Sequence, residues 1–74
     1  MSATTITLFY KYTSIENPDA WAAEARNVAQ RLQLTGRLLV AHEGINGTFE
    51  GVPEANEEFV AWLHAQPDFA DVDI

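Results

Sequence analysis

The sequence predicts a small α+β domain in which an antiparallel sheet is covered on one face by two helices. Three observations support this prediction: an alternating strand pattern near the start, two segments with helical periodicity, and a glycine-containing stretch between two apolar runs. The 74 residues are 47% hydrophobic and 20% charged, a composition typical of a folded globular chain. We therefore expect residues 1–74 to form a single domain.

The first strand is predicted from the alternation of side chains over residues 4–12. One of the two alternating sets is the more apolar and is predicted to face the core: Ile6, Leu8, Tyr10 and Tyr12. The other set is predicted to form a half-open face of the sheet. On that face, Phe9 would be available to stack on a nucleobase, although one aromatic ring without surrounding cations is a weak signal.

Two helices are predicted, each with a proline in its first turn. Asn17 suits the cap of the first helix and Pro18 its first position, and Gly36 is predicted to end this helix as a left-handed cap. The second helix is predicted to begin at Pro53 and to stop before Pro67. Helical spacing predicts buried stripes at Trp21, Ala25, Val28 and Leu32 in the first helix and at Ala55, Phe59, Trp62 and Leu63 in the second.

The middle of the chain predicts a β-hairpin. Strands are predicted at residues 37–43 and 48–52, and Gly44, Asn46 and Gly47 lie at or between their ends. Asn-Gly is a strong signal for a tight hairpin because both residues tolerate positive φ. We therefore predict that these three residues build the turn.

The predicted order of elements is β-α-β-β-α-β, with a last strand of only three residues at 72–74. Two right-handed crossovers around a hairpin define the ferredoxin-like sandwich, which has an antiparallel sheet and both helices on one face. The first and third strands are central neighbours in this topology, and the last strand pairs beside the first. Because strands usually contain about five or six residues, we expect this one to be completed by further chain or by a partner.

The charge and the missing cysteine exclude several classes of function. Eleven acidic residues and four basic residues give a formal charge of -7, which disfavours autonomous binding to nucleic acid or to an anionic membrane. No apolar run approaches the roughly 18 residues of a membrane span, and the N-terminus lacks a signal-peptide pattern. The absence of cysteine excludes disulfides and thiolate chemistry in this chain and fits a cytoplasmic location.

Three polar residues are candidates for an anion-binding site. Lys11 lies near the end of the first predicted strand, Arg37 begins the second, and Asn46 lies in the hairpin stretch. Adjacent antiparallel strands could bring some of them together at one end of the sheet to bind an anion; alternatively, Arg37 is only solvated and Asn46 only forms the turn. A metal site is not expected, because His42 and Glu43 are neighbours that would point to opposite faces of a strand. No catalytic residue and no cofactor is assigned.

Four segments carry a resemblance to a known family: LFYKY at 8–12, GRLLVA at 36–41, EGINGT at 43–48 and PEA at 53–55. In this order they resemble the N-terminal domain of the rhodanese-domain tRNA uridine hydroxylases. The resemblance implies an acylphosphatase-like fold, in agreement with the element order. It also implies a parent enzyme that hydroxylates the wobble uridine of tRNA with oxygen, using a cysteine of a following rhodanese domain.

The resemblance implies a non-catalytic role for this segment, which would position the tRNA or the catalytic domain. Its expected partners are the rhodanese domain of the parent chain and, through the parent protein, tRNA. Acylphosphatase activity is not expected, because the loop from Lys11 to Asn17 contains neither arginine nor glycine, and lysine does not reproduce the guanidinium fork. The alternatives are a protein-interaction module, with self-association through an open strand edge, and a stand-alone acylphosphatase-type enzyme.

Overall fold

The structure, a computed structural model, describes residues 4–72 and contains three strands and two helices in this range. In chain order the elements are β1 (Thr5–Tyr12), α1 (Pro18–Arg31), β2 (Thr35–Ala41), β3 (Gly44–Gly51) and α2 (Pro53–His64). The strands form one antiparallel sheet in the order β1-β3-β2, so the predicted pairing of the first and third strands is confirmed. The predicted last strand at 72–74 extends outside the described residues; Val72 is buried and belongs to no strand.

Helix α1 begins as predicted and ends earlier than predicted. The side chain of Asn17 accepts a hydrogen bond from the Ala20 amide at 3.2 Å, which caps the first turn. After the helix, Gln33 adopts the left-handed conformation with φ of 59°, whereas Gly36 lies within β2. The cap predicted at Gly36 is therefore wrong. The early exit brings Leu34 into the core, where it is 7% exposed.

Both helices cover the same face of the sheet, as predicted. Helix α1 packs against β2, and α2 packs against β1 and β3. The rings of Trp21 and Trp62, one from each helix, lie 5.7 Å apart. Trp21 also contacts Phe69 of the C-terminal segment, with ring centroids 4.9 Å apart. The aromatic contacts therefore join the two helices and the segment after α2 into one core.

Strand β1 presents to the core the face opposite to the one predicted. Phe9 is 2% exposed, and its ring lies 5.9 Å from that of Phe49 and 5.5 Å from that of Phe59. The side chains predicted to be inside point away from the helices: Ile6, Leu8, Tyr10 and Tyr12. Because the side-chain period of a strand is two, burying Phe9 turns this whole set outward. The proposal that Phe9 is available to stack on a base is therefore wrong.

The predicted hairpin is present, but its turn lies earlier in the chain than predicted. Ala41 pairs with Gly44, so the turn consists of His42 and Glu43. Asn46, like Gly44 and Gly47, belongs to the central strand β3 rather than to the turn.

The position of the turn is fixed by contacts with the segment that follows β1. The carbonyl oxygens of His42 and Glu43 accept hydrogen bonds from the amides of Ile15 at 2.9 Å and Thr13 at 3.0 Å. The Nδ1 atom of His42 lies 3.1 Å from the Ile15 carbonyl oxygen. Because a carbonyl only accepts, Nδ1 is the donor in this contact. The turn and the β1–α1 loop therefore hold each other in place.

A buried asparagine links the start of α2 to the start of β1. Asn56 is 5% exposed, and its Nδ2 donates to the carbonyl oxygen and the hydroxyl oxygen of Thr5 at 2.9 and 2.8 Å. Its Oδ1 is buried without a partner among the described residues. These bonds fix the start of α2 at one end of the sheet.

Candidate functional site

The face of the sheet that points away from the helices is the candidate functional surface, and we call it the open sheet face. Residues directly opposite each other on antiparallel strands share a face, so the strand register defines its rows. From one end of the sheet to the other, the rows from β1, β3 and β2 are Ile6–Glu50–Thr35, Leu8–Thr48–Arg37, Tyr10–Asn46–Leu39 and Tyr12–Gly44–Ala41. Side chains of the outer strands flank a central line of mostly small or polar residues.

Large apolar side chains on the open sheet face are more than half exposed to solvent. Their exposed fractions are 62% for Ile6, 63% for Leu8, 54% for Tyr10, 82% for Tyr12 and 66% for Leu39. Single exposed apolar residues are ordinary on protein surfaces, whereas a contiguous group is characteristic of a surface that binds something. Four of these residues follow one another along the outward side of β1, and Leu39 on β2 lies across β3 from Tyr10.

A shallow depression lies on this face at the end near the hairpin turn. Its volume is about 420 Å³, and its lining includes Tyr10, Tyr12, Leu39 and Asn46. The two tyrosine rings lie 6.4 Å apart in an edge-to-face arrangement. Gly44 and Ala41 also line it, so small residues lie between the larger side chains of the outer strands. It therefore offers aromatic and aliphatic walls with an amide at its base.

The three predicted anion-binding residues do not meet at one site. Arg37 and Asn46 both lie on the open sheet face, in neighbouring rows. Lys11 belongs to the alternate set of β1 with Phe9, and its Nζ forms an ion pair with Asp71 at 2.7 Å. A joint site of all three is therefore not formed, and binding by Arg37 or Asn46 remains a prediction.

The ion pair between Lys11 and Asp71 changes the pKa of the Asp71 carboxyl. The hydrogen bond donated by the Lys11 ammonium, with a further contribution from its charge, lowers the pKa of the Asp71 carboxyl below its ordinary value. Asp71 itself is 77% exposed. This pair therefore holds the segment after α2 to the end of β1 and shows no feature of a catalytic site.

The acidic residues lie mainly outside the open sheet face. Among residues 4–72, Glu50 is the one acidic residue in the four rows, and Arg37 is the one basic residue. The other described acidic residues are in the helices, the loops and the turn: Glu16, Asp19, Glu24, Glu43, Glu54, Glu57, Glu58, Asp68 and Asp71. The open sheet face is thus close to neutral, although the chain as a whole has a charge of -7.

The loop between β1 and α1 offers little to a phosphate group. The amides of Thr13 and Ile15 already donate to the carbonyl oxygens of the hairpin turn. A phosphate cradle needs free amides that converge on the anion, usually with an arginine or lysine. Lys11, the cation at the start of this loop, is paired with Asp71, and the absence of acylphosphatase activity stays a prediction.

The part of the chain that the structure describes also lacks the features of a metal site and of a membrane-spanning helix. Within residues 4–72, no three His, Asp or Glu side chains come together as a metal site would require. Neither helix in this range has the length and apolar composition needed to cross a bilayer.

The open sheet face was not identified from the sequence, although a signal for it exists. In β3, the buried residues Ile45, Gly47 and Phe49 alternate with the more polar Asn46 and Thr48. Had this strand been assigned from residue 44 onward, the cross-strand neighbours of Phe9 would have been recognised as core residues. The apolar set of β1 would then have been placed on the uncovered face.

This architecture, an antiparallel sheet with two helices on one face, is that of a small α+β domain of the acylphosphatase-like class. Residues 4–74 match the family model described as the UPF0176 acylphosphatase like domain. The match covers nearly the whole chain, and the chain belongs to this family.

Curated relatives of this chain are named tRNA uridine(34) hydroxylase. The relative from Bacillus cytotoxicus is 45% identical over 67 residues, covering 90% of this chain and 21% of the relative. Those from Streptococcus agalactiae serotype III and Streptococcus pyogenes serotype M5 are 42% identical over 67 residues, covering 90% of this chain and 20% of each relative. The chain thus spans about a fifth of the length of these relatives.

Proposed function

We propose that this chain is the non-catalytic N-terminal domain of an enzyme of the tRNA uridine(34) hydroxylase type. In this role it supports hydroxylation of the wobble uridine by positioning the catalytic rhodanese domain or the tRNA. The observation that carries the proposal is the identity of 42–45% over 90% of this chain to proteins with that name. The family match over residues 4–74 supports the same assignment.

The non-catalytic role is supported by the chemistry that the chain contains. It has no cysteine, whereas the resemblance described above implies a catalytic cysteine in a following rhodanese domain. The ordered polar contacts that stand out, such as Lys11 with Asp71 and Asn56 with Thr5, join structural elements to one another. The acidic helices and loops favour positioning of the catalytic domain over direct contact with the tRNA backbone.

The proposal is tested with a chimera of the Bacillus cytotoxicus relative in which this chain replaces the matched region. A second version of the relative lacks that region altogether. Hydroxylated uridine at position 34 is measured by mass spectrometry of tRNA digests after incubation with each protein. The chimera is expected to hydroxylate the tRNA and the shortened protein is expected to lose most of the activity. Equal activity of the shortened protein would contradict a role for the domain.

A second candidate, a protein-interaction module that pairs through a strand edge, is favoured by one observation. Within residues 4–72, β1 pairs with β3 alone, so its other edge has no strand beside it. Open edges can recruit a strand from another chain. Sedimentation velocity over a range of concentrations tests this candidate: a dimer that forms as concentration rises supports it, and a constant monomer contradicts self-association.

A further inference from the structure

We propose that the open sheet face is the docking surface of this domain, and that its occupant is an apolar surface of the remaining part of the same enzyme chain. This inference rests on the proposed function, in which the domain is one part of a longer hydroxylase. It goes further by assigning the contact to one face of the sheet and to one kind of partner.

The open sheet face has the composition of a protein interface. Two aromatic and three aliphatic side chains, each more than half exposed, lie on β1 and β2 on either side of β3. Protein interfaces are enriched in tyrosine and depleted of charge at their centre. The depression beside Tyr10, Tyr12 and Leu39, with a volume of about 420 Å³, provides a recess for a protruding side chain of the partner.

The open sheet face is close to neutral, which favours a protein partner over a nucleic acid. Proteins that bind single strands combine stacking rings with a positively charged groove along the backbone. Here Arg37 is the one cation among the four rows and Glu50 offsets it. The tyrosines could stack on bases, but the face offers almost no attraction for phosphates. An apolar protein surface is therefore the better match.

The relatives contain a large further region that could cover this face. About four fifths of each relative lies outside the region matched by this chain. A covalently linked domain experiences an effective concentration of its neighbour in the range of about 1 mM or more when the linker is short. A modest apolar face can therefore stay docked within one chain, whereas a second copy of the domain would have to bind from dilute solution.

The experiment compares side-chain accessibility in the isolated chain and in the chimera with the Bacillus cytotoxicus relative. Hydroxyl-radical labelling with mass spectrometry reports the exposure of Tyr10, Tyr12 and Leu39. We expect these three residues to lose most of their labelling in the chimera, because side chains at the centre of an interface are shielded from water. Trp62 and Val60, which are both partly exposed on helix α2, are internal references that should change little.

A matched pair of variants separates docking from folding. The double variant Leu8→Thr and Leu39→Thr removes apolar surface from the open sheet face and introduces β-branched side chains, which are suited to strands. Val60→Thr is the control, since Val60 is partly exposed on helix α2, which covers the opposite face of the sheet. The double variant should leave the melting temperature of the isolated chain nearly unchanged and restore labelling of Tyr12 in the chimera. The control should leave Tyr12 protected.

Three labelling results would overturn the inference. Unchanged labelling of the open sheet face in the chimera would show that the rest of the enzyme does not cover it. Protection in the isolated chain that grows with concentration would assign the face to a second copy. Protection that appears only when tRNA is added would assign it to RNA. A chimera that hydroxylates tRNA while Tyr12 stays exposed refutes the docking surface and leaves the proposed function standing. An inactive chimera in which Tyr12 is protected supports the docking surface and refutes the proposed function.

Discussion

Gly47 and Phe9 form the contact that determines which side of β1 is buried. They are directly opposite each other in the sheet, and a Cβ built at Gly47 would lie 2.7 Å from Cε2 of Phe9 and closer still to its Cζ. Phe9 is 2% exposed and is packed between Phe49 and Phe59. The ring has no space into which to move, so the missing side chain at Gly47 is a packing requirement.

The first prediction concerns Gly47→Ala. Because the new methyl group would overlap the buried ring, we expect the free energy of unfolding to fall by about 1–3 kcal/mol, measured by urea denaturation. In the background of Phe9→Leu, where the ring is absent, Gly47→Ala should cost clearly less. An equal cost in both backgrounds would show that the ring is not the obstacle.

The second prediction concerns Lys11 and the pH dependence of its ion pair. The Lys11 ammonium lowers the pKa of Asp71, so the pair stabilises the fold at pH values above the ordinary carboxyl range. That stabilisation is lost as the pH falls through the lowered pKa, where the carboxylate becomes protonated. Substituting Lys11→Met should raise the pKa of Asp71 toward its ordinary value, as followed by NMR of the carboxyl carbon. An unchanged titration midpoint would contradict the ion pair.

The sequence predicts the two helices and the hairpin more reliably than it predicts which face of β1 is buried. Asn17 as a cap and the proline starts are local signals, and they are confirmed because the first turn of a helix is determined by its own residues. The face of β1 that is buried depends on its neighbour in the sheet, which is distant in sequence. The alternation pattern of β1 favours burying the four apolar residues Ile6, Leu8, Tyr10 and Tyr12. The structure instead buries Phe9, so the predicted orientation is wrong.

The turn position illustrates the same limit. Asn46 and Gly47 have the chemistry of a hairpin turn, yet both lie in the central strand. The reversal occurs at His42 and Glu43, where the turn carbonyls bond to the segment after β1. Those bonds join residues about 30 positions apart, which local turn preferences do not register.

The third prediction uses Asn46 to test the turn assignment. In the observed strand, Asn46 is exposed between Tyr10 and Leu39. Asn46→Thr should change the free energy of unfolding by no more than about 0.5 kcal/mol, as for surface positions in strands. If Asn46 instead occupied a turn with positive φ, a β-branched residue would cost clearly more. Chemical denaturation of both proteins distinguishes the two cases.

At the scale of the whole molecule, the charge distribution has a consequence for tRNA binding. The chain has a formal charge of -7, and its acidic residues are spread over the helices and loops. As the fourth prediction, the isolated chain should show no tight binding to tRNA in a gel-shift assay at about 0.15 M ionic strength. Tight binding under these conditions would refute a purely accessory role and would require a direct contact with RNA.

The candidate site shows why function was less predictable than fold. Lys11, Arg37 and Asn46 were chosen for their chemistry, but the strand alternation places Lys11 on the opposite side of the sheet from the other two. The open sheet face, by contrast, consists of ordinary apolar residues. Its significance comes from the absence of a covering layer among residues 4–72, which only the tertiary structure reveals.

The most direct test of the account is the hydroxylation of uridine 34 by the chimera that carries the double variant Leu8→Thr and Leu39→Thr. We predict a rate about tenfold lower than that of the chimera with Val60→Thr, because two leucines that docking would bury contribute at least about 1.4 kcal/mol of apolar stabilisation, which corresponds to one factor of ten. Equal rates for the two chimeras, with equal folding of both, would contradict the claim that this domain acts through the open sheet face.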